Sequence, residues 1–483
     1  MTPVGTRGPR PPRVAVVGGG IAGLAAAFEL RSLRPDADVV VLEASGQVGG
    51  KLRGSEVGGV VVDEGADSLL ARVPDAVRLA QDVGLGDALA PPQTSSAGLW
   101  TRGRMRPLPT GTVLGVPADL GALRRSGVLS ASGLARVLLD PLLPGGPVED
   151  DVAVGALVAR RLGREVVDRL VDPLLGGVYA GRADRLSLHA TLPQLARTTS
   201  TRRSLLAATR AARAPAPSSA PVFVGLPGGL GTLPPAVAAA ARADVRLRAT
   251  VRRLSRTPSG WRLVVGSAAA PEALDVDGVV LAVPAAPASK LLTEVAPAAA
   301  EQVGVLEYAS VALVTLVLDG PAPGSGSGYL VPAVDGRTTK AVTFTSRKWA
   351  HLAGGPAVVR ASIGRYGETA VLQRDDADLV DVVHRELVAA LGPVPALLDS
   401  RVTRWGGGLP QYAVGHLERV RSVRTQLDGL PGLAVAGAAF DGVGVPACIG
   451  SGRRAAEQVL AALPAAPGRP AGRRTSAGAE WTA

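Results

Sequence analysis

Val14-Ala15-Val16-Val17 is an unbroken apolar run that stops at three glycines, and an alanine-rich stretch of helical period follows from Ile21 to Leu33. The pattern predicts strand, tight turn and helix. A second apolar run, Val39 to Leu42, predicts a further buried strand. Val60-Val61-Val62 predicts another, ending at Asp63-Glu64-Gly65-Ala66. Residues 74–90 read as helical, and Trp100 to Pro109 as a hairpin with Arg102-Gly103-Arg104-Met105 in its turn. From 115 to 170 apolar positions recur at helical spacing: Leu120, Leu123, Leu129, Leu134, Val137, Leu138, then Val152 to Leu162, broken by Pro141, Pro144 and Pro147. Residues 205–221 are rich in Ala, Pro and Ser and read as a mobile loop or linker.

The strand–turn–helix pattern returns at Val222-Phe223-Val224, Gly228-Gly229 and Leu230 to Ala241. Strands are expected at 245–254, 261–265 and 279–283, then at 308–319, 328–332, 341–345 and 357–364, with a helix near 376–391. Leu433 to Gly437 predicts a last strand, Phe440 to Pro446 a Gly-rich loop, and Ile449 to Leu463 a closing helix.

The first turn reads Gly18-x-Gly20-x-x-Gly23. The first Gly permits the tight turn, the second lets a pyrophosphate approach the backbone, and the third lets the helix lie close to the strand. The helix start then offers free N–H groups to phosphates. Glu43 follows Gly23 by 20 residues at the end of the second strand, where a carboxylate accepts the ribose hydroxyls of a dinucleotide. Directly after comes Val48-Gly49-Gly50-Lys51, a second glycine turn with a cation suited to phosphate. This twin turn points to flavoproteins of the glutathione-reductase type, which hold FAD extended. The loop before the closing helix fits the same cofactor, because a helix start stabilises negative charge at the flavin N1/O2 edge.

At 483 residues, two or three domains are expected. Apolar content of 47% argues against a disordered chain, and aromatics at 3% leave aliphatics and alanine to fill the core. The formal charge is +11, part of it in Arg7, Arg10, Arg13, Arg469, Arg473 and Arg474. Few aromatics are present for base stacking, so no nucleic-acid partner is expected. A polyanionic small molecule or a membrane surface suits the charge better, and an Arg-rich composition alone would also account for it. The single cysteine, Cys448, excludes an internal disulfide and a cysteine metal cluster, and no metal is expected. No run of 18 apolar residues occurs, and the Pro- and Arg-rich start lacks the apolar core of a secretory signal, so a cytoplasmic location is expected. Exposed leucines in the helical block would allow peripheral membrane contact, although core packing explains them too.

Four further segments carry a resemblance: Arg106-Pro107-Leu108-Pro109-Thr110-Gly111, Asp172-Pro173-Leu174-Leu175-Gly176-Gly177-Val178-Tyr179-Ala180-Gly181 with Leu186-Ser187-Leu188, Leu409-Pro410-Gln411-Tyr412-Ala413-Val414-Gly415-His416, and Phe440 to Ile449. Together they resemble the protoporphyrinogen/coproporphyrinogen III oxidase family, most of all its Gram-positive branch, over residues 13 to 463. The resemblance implies non-covalent FAD that takes hydrides from a porphyrinogen and passes electrons to O2, giving hydrogen peroxide, with other haem-biosynthesis enzymes as partners. It implies cofactor contacts at Gly18, Gly19, Gly20, Ile21, Ala22, Gly23, Glu43, Ala44, Gly50, Lys51, Asp63, Glu64, Gly65, Ala66, Val251, Trp405, Val443, Gly444 and Val445. Gly176, Gly177 and Tyr179 are candidates for the substrate pocket, the glycine pair reading also as a packing turn. Where the mitochondrial branch has a propionate-binding arginine this chain has Ala97, so Arg72, Arg102 or Arg104 becomes the candidate. No catalytic side chain is required, since the cofactor carries the redox work. His416 is expected to hydrogen-bond structurally, and Cys448 to pack.

The expected architecture is α/β: an FAD-binding Rossmann-like domain of glutathione-reductase/amine-oxidase type, a mixed α+β substrate domain and a helical subdomain. The FAD-binding parts fall at 13–85, 222–300 and 430–463, the substrate parts at 86–114 and 301–429, the helical subdomain at 115–204, and a disordered tail at 464–483. Alternatives are protoporphyrinogen IX as substrate, another flavin oxidoreductase such as an amine oxidase or carotene desaturase, or a flavin-binding regulator. Five Trp, five Tyr and four Phe offer little for the aromatic cage of an amine oxidase.

Overall fold

Residues 10–213 and 221–464 are described by a computed structural model. The leader up to residue 9, the linker over 214–220 and the tail from 465, with Arg7, Arg469, Arg473 and Arg474, lie outside the described residues.

The strand Arg13–Val17 lies at the centre of a five-stranded parallel sheet in the order Asp244–Arg246, Asp38–Leu42, Arg13–Val17, Gly278–Leu281, Leu433–Val435. In register, Val14 pairs with Val39 on one side and Gly278 on the other. Both faces are covered, which is why these strands are apolar throughout rather than alternating. Val14, Val16, Val39 and Val41 pack under the helix Ile21–Leu33 and the helix Val445–Ala461. Ala25, Ala26 and Ala27 are fully buried, and their small side chains let the first helix lie close to the sheet. Ala15, Val17, Val40 and Leu42 face the other way, onto Leu254, Trp261 and Leu263 of the antiparallel strands Val251–Thr257 and Gly260–Gly266.

A seven-stranded sheet runs Leu397–Pro410, Tyr308–Leu318, Ala357–Ile363, Thr339–Phe344, Gly328–Leu330, Ala97–Thr101, Arg104–Pro107. Only Gly328–Leu330 with Ala97–Thr101 is a parallel pair. The helix Asp376–Leu391 covers one face through Leu379, Val383 and Leu387. Against Leu99 and Leu330 of this sheet the chain builds a block of helices, including Leu120–Ser126, Ala131–Leu138, Val154–Leu162 and Asp172–Tyr179, with Asp140 and Arg161 joined in a buried ion pair at 2.7 Å. Leu123 is buried there, whereas Leu138, Leu139 and Leu142 are exposed. Among the described residues no helix is long and apolar enough to cross a membrane.

Several expectations change. The helix begun at Pro74 stops at Asp82, because Gly84 takes φ +81°, and only a short turn at Gly86–Ala88 follows. The strand expected over 245–254 is two strands, Asp244–Arg246 and Val251–Thr257, parted by a turn in which Arg248 has φ +55°. Within the expected linker, Leu205–Ala212 is a helix: Ser204 caps the Ala207 N–H, and Leu205, Leu206 and Ala208 are buried in the helical core. The closing helix begins four residues early, at Val445, since Pro446 is compatible with a first turn. Among the unforeseen strands, Pro271–Val276 is largely exposed and Leu397–Pro410 carries Asp, Ser, Arg and Gly among its apolar residues, so no apolar run marks either.

Candidate active site

The cradle starts at Gly18, whose φ of +108° and close approach to the Ala282 carbonyl leave no room for a side chain. A Cβ at Gly23 would stand 1.9 Å from the Gly18 oxygen, so this Gly is what seats the helix on the turn. At Gly20 nothing lies within 4 Å of an added Cβ. The helix that begins at Ile21, beside Ala22, has no side-chain cap, so its first N–H groups face that open space. Gly19 accepts from the Gly49 N–H at 2.8 Å, and Gly50 lies against the Gly20 Cα. Gly65 touches the Lys51 backbone, where a Cβ would stand 2.0 Å from the Lys51 oxygen. The turns at 18–23, 49–51 and 63–66 are therefore brought together, and Ala66 is exposed on the last of them.

Glu43 sits half-buried at the sheet end and accepts from Gly19 N–H at 2.7 Å and Ser45 N–H at 2.8 Å, with Ala44 exposed beside it. Arg248 and Ala249 donate to Ser45 and Glu43 at 2.8 Å, which carries Val251 toward the same end. Trp405, on the long edge strand, donates from Nε1 to the Glu64 carbonyl at 2.6 Å, and the Arg53 guanidinium lies 5.1 Å from its ring.

Two expected cofactor side chains point elsewhere. The Asp63 carboxylate accepts from Leu230 and Gly231 N–H at 3.1 Å, closing the second strand–turn–helix. Burial pushes its pKa up to about 6, against the pull of Arg360 and these bonds. Glu64 is buried and ion-paired to Arg53 and Arg401, and although burial would raise it, bonds from Arg53 and Arg401 hold it below the usual carboxylate range. Both reach an open cradle through their backbone only.

The closing loop supplies a second helix start. Gly444 precedes Val445–Ala461 with no side-chain cap and no atom nearer than 3.8 Å to an added Cβ. Gly452 packs this helix on Ala22 of the first one. Val443 rests on the helical core. The loop is pinned by Ser451, whose Oγ accepts the Gly437 N–H at 2.9 Å and donates to Asp441, itself paired with Arg424 and Arg454. Burial pushes the Cys448 thiol up to about 12 despite the nearby Lys51 ammonium, so it packs and is no nucleophile at neutral pH. Two uncapped helix starts, glycine backbone and open space fit a flavin nucleotide carrying phosphates and a ring that gains negative charge.

On the substrate side, Gly176 and Gly177 lie in a helix, Asp172–Tyr179, rather than in a turn. Gly177 is exposed, and a Cβ there would meet Leu330 of the large sheet at 3.7 Å. Tyr179 is buried with its ring 5.6 Å from Tyr412. His416 stacks on Tyr412 at 4.2 Å, and its Nδ1 has no hydrogen-bond partner. Burial lowers its pKa to about 4, so it is a neutral packing ring rather than the expected hydrogen-bonding one. Arg72 is exposed beside Val222, and Arg102 is paired with Glu165 at 3.0 Å, while Arg104 is exposed on the hairpin. The structure brings none of the three into contact with Tyr179 or the cradle glycines.

Sequence reasoning missed three groups. Arg360 donates to the Asp63 and Gly65 carbonyls at 2.9 and 2.8 Å and pairs with Asp67 at 3.2 Å, where Lys348 also binds at 2.9 Å. The Tyr412 hydroxyl donates to the Ala438 carbonyl. The signal for Arg360 was an arginine inside the apolar strand Val358-Val359-Arg360-Ala361.

Residues 21–460 match the family described as flavin containing amine oxidoreductase. Coproporphyrinogen III oxidase of Bacillus subtilis (strain 168) is 33% identical over 93% of this chain and 98% of its own length. That of Mycobacterium tuberculosis (strain ATCC 25618 / H37Rv) is 38% identical over 94% and 99%. A crystal structure from Exiguobacterium sp. 255-15, provisionally named protoporphyrinogen oxidase, superposes with a TM-score of 0.83 at 32% identity over 93% of this chain and 98% of that one. The chain belongs to the flavin containing amine oxidoreductases, in the group that holds the coproporphyrinogen III oxidases.

Proposed function

We propose that this chain oxidises coproporphyrinogen III to coproporphyrin III, with non-covalent FAD as cofactor and O2 as final acceptor. Three rounds remove six electrons and six hydrogens and yield three hydrogen peroxide. FAD, when bound, supplies the hydride acceptor at its ring and the route of electrons to O2. The protein's part is position and electrostatics. The glycines at 18, 20 and 23 and the start of the first helix would hold the pyrophosphate, and Glu43 the ribose hydroxyls. The Val443–Val445 helix start would face the ring edge, and Trp405 would border the turn at 63–66. Gly177, exposed on its helix with Leu330 beside it, would border one face of a flat macrocycle. Cys448, a buried thiol with its pKa raised, suits a cofactor held without a covalent bond.

One observation supports this reading: two of the four segments that carry the resemblance to the porphyrinogen oxidases touch. Gln411 Nε2 donates to the Tyr179 carbonyl at 2.8 Å across 232 residues, and the Tyr179 and Tyr412 rings meet. Both segments are then joined to the cofactor loop through Ala438. The expected result is that purified protein is yellow and turns coproporphyrinogen III into a fluorescent porphyrin in air, faster in initial rate than protoporphyrinogen IX. Equal or faster turnover of protoporphyrinogen IX would sink the substrate assignment. Reduction of the flavin by amines alone would sink the reaction class.

A further inference from the structure

Tyr412 is 3% exposed and touches three parts of the molecule at once. Its ring is stacked on His416 and meets Tyr179 at an interplanar angle of 58°. Its carbonyl accepts the Ser187 N–H at 2.7 Å, and its neighbour Ala413 bridges to Leu186. Gly415 N–H donates to Asp151 at 2.9 Å, and the same carboxylate accepts from Ser187 Oγ, so the segment is fastened to the helical block on both sides of the ring. The hydroxyl points out of this frame, to the Ala438 carbonyl. Ala438 lies between the last parallel strand and Gly444, the start of the closing helix. On its other flank the loop is held by Ser451 at Gly437 and by Ser451, Arg424 and Arg454 at Asp441.

We propose that Tyr412 is a positioning residue whose hydroxyl ties the cofactor-facing loop Gly437–Val445 to the helix Asp172–Tyr179, so that the flavin edge and the substrate wall are held in one fixed relation. The proposal rests on the flavin reading above. Burial keeps the phenol protonated at any working pH, so it donates and never accepts a charge. Without the hydroxyl the Ala438 carbonyl would lose its partner in a partly buried place. The loop would then be free to settle elsewhere, and the helix start at Gly444 would move with it.

The test uses the full chain stripped of flavin and titrated with FAD, read by flavin fluorescence and by the absorption bands of the bound ring. Tyr412→Phe keeps the ring stack and removes one oxygen. The expected result is an apoprotein that melts within a few degrees of wild type, about fivefold weaker FAD binding, the worth of one buried neutral hydrogen bond, and displaced flavin bands. A Tyr412→Phe protein with wild-type affinity and bands overturns the proposal while leaving the proposed function standing. A wild-type chain that takes up no FAD overturns both. If Tyr412→Phe fails to fold, Tyr412→3-fluorotyrosine decides, because it keeps ring and hydroxyl and donates more strongly. Displaced bands support the tie, and unmoved bands overturn it.

Discussion

Gly20→Val is expected to fold with an unchanged melting temperature and to lose its flavin. The backbone at Gly20 has φ −72° and ψ 173°, which any residue adopts. Nothing of the protein lies within 4 Å of the new Cβ, so the fold has no reason to resist it. The side chain would instead occupy the space that the uncapped first helix leaves for phosphate. Overfilling a closely matched site costs about 1–3 kcal/mol, which corresponds to about 5- to 150-fold weaker binding. Gly23→Ala is the contrasting case. Its methyl would sit 1.9 Å from the Gly18 oxygen, which belongs to backbone and cannot yield without lifting the helix from the sheet. That variant is expected to lose stability first and cofactor as a result. Calorimetry and flavin content measured together separate the two. A Gly20→Val protein that retains flavin, or that melts as early as Gly23→Ala, would contradict the assignment of the cradle.

Asp67→Asn is expected to cost about 3 kcal/mol of stability at neutral pH, in the range for breaking one side of a buried ion pair. Asp67 is 9% exposed, and Lys348 and Arg360, both deeply set, would be left facing an amide. Burial alone would raise the Asp67 pKa, but Arg360 and Lys348 outweigh it and hold the carboxyl well below the usual carboxylate range. The sign follows from linkage: with a folded value below the unfolded one near 3.9, the contribution is complete above about pH 5 and is lost as acid takes the carboxylate. Wild type and Asp67→Asn should therefore differ fully at pH 7 and converge only below about pH 4. Asp63 slopes the other way, since its folded pKa is raised to about 6. Its ionisation costs stability as pH climbs from about 4 to 6. Denaturant unfolding of both proteins at pH 7, 5 and 3.5 checks this. A constant gap down to pH 3.5 would show that the Asp67 charge is not what Arg360 and Lys348 hold.

Much of the fold could be read directly because burial on both faces writes itself as an unbroken apolar run. Val14–Val17 and Val39–Leu42 are of this kind, and the helices at 21–33 and 376–391 carry their period openly. The strand Leu397–Pro410 could not be read this way: as the outermost strand it is buried at few positions and carries Asp, Ser, Arg and Gly. The helix Leu205–Ala212 was hidden by the Ala-, Pro- and Ser-rich composition around it, although Ser204 is a fair capping signal. The cradle glycines were legible since steric demands at Gly18 and Gly23 leave one residue type. The direction of the Asp63 and Glu64 side chains was not, because it depends on Leu230, Gly231, Arg53 and Arg401, which come from other parts of the chain. Arg360 and Tyr412 act through backbone carbonyls, and a carbonyl leaves no mark in a sequence.

The order of strands in the parallel sheet has a bearing on how the protein is made. Its central strand Arg13–Val17 is made long before its outer strand Leu433–Val435. A nascent chain carries the glycine turn at 18–23 long before the loop at Gly437–Val445 has been made. Pairings this distant form slowly, and the waiting strands show unpaired apolar edges meanwhile. Loading with flavin would thus wait until the closing loop has been made, and a supply of free cofactor at that moment would pull late-folding chains into the native state.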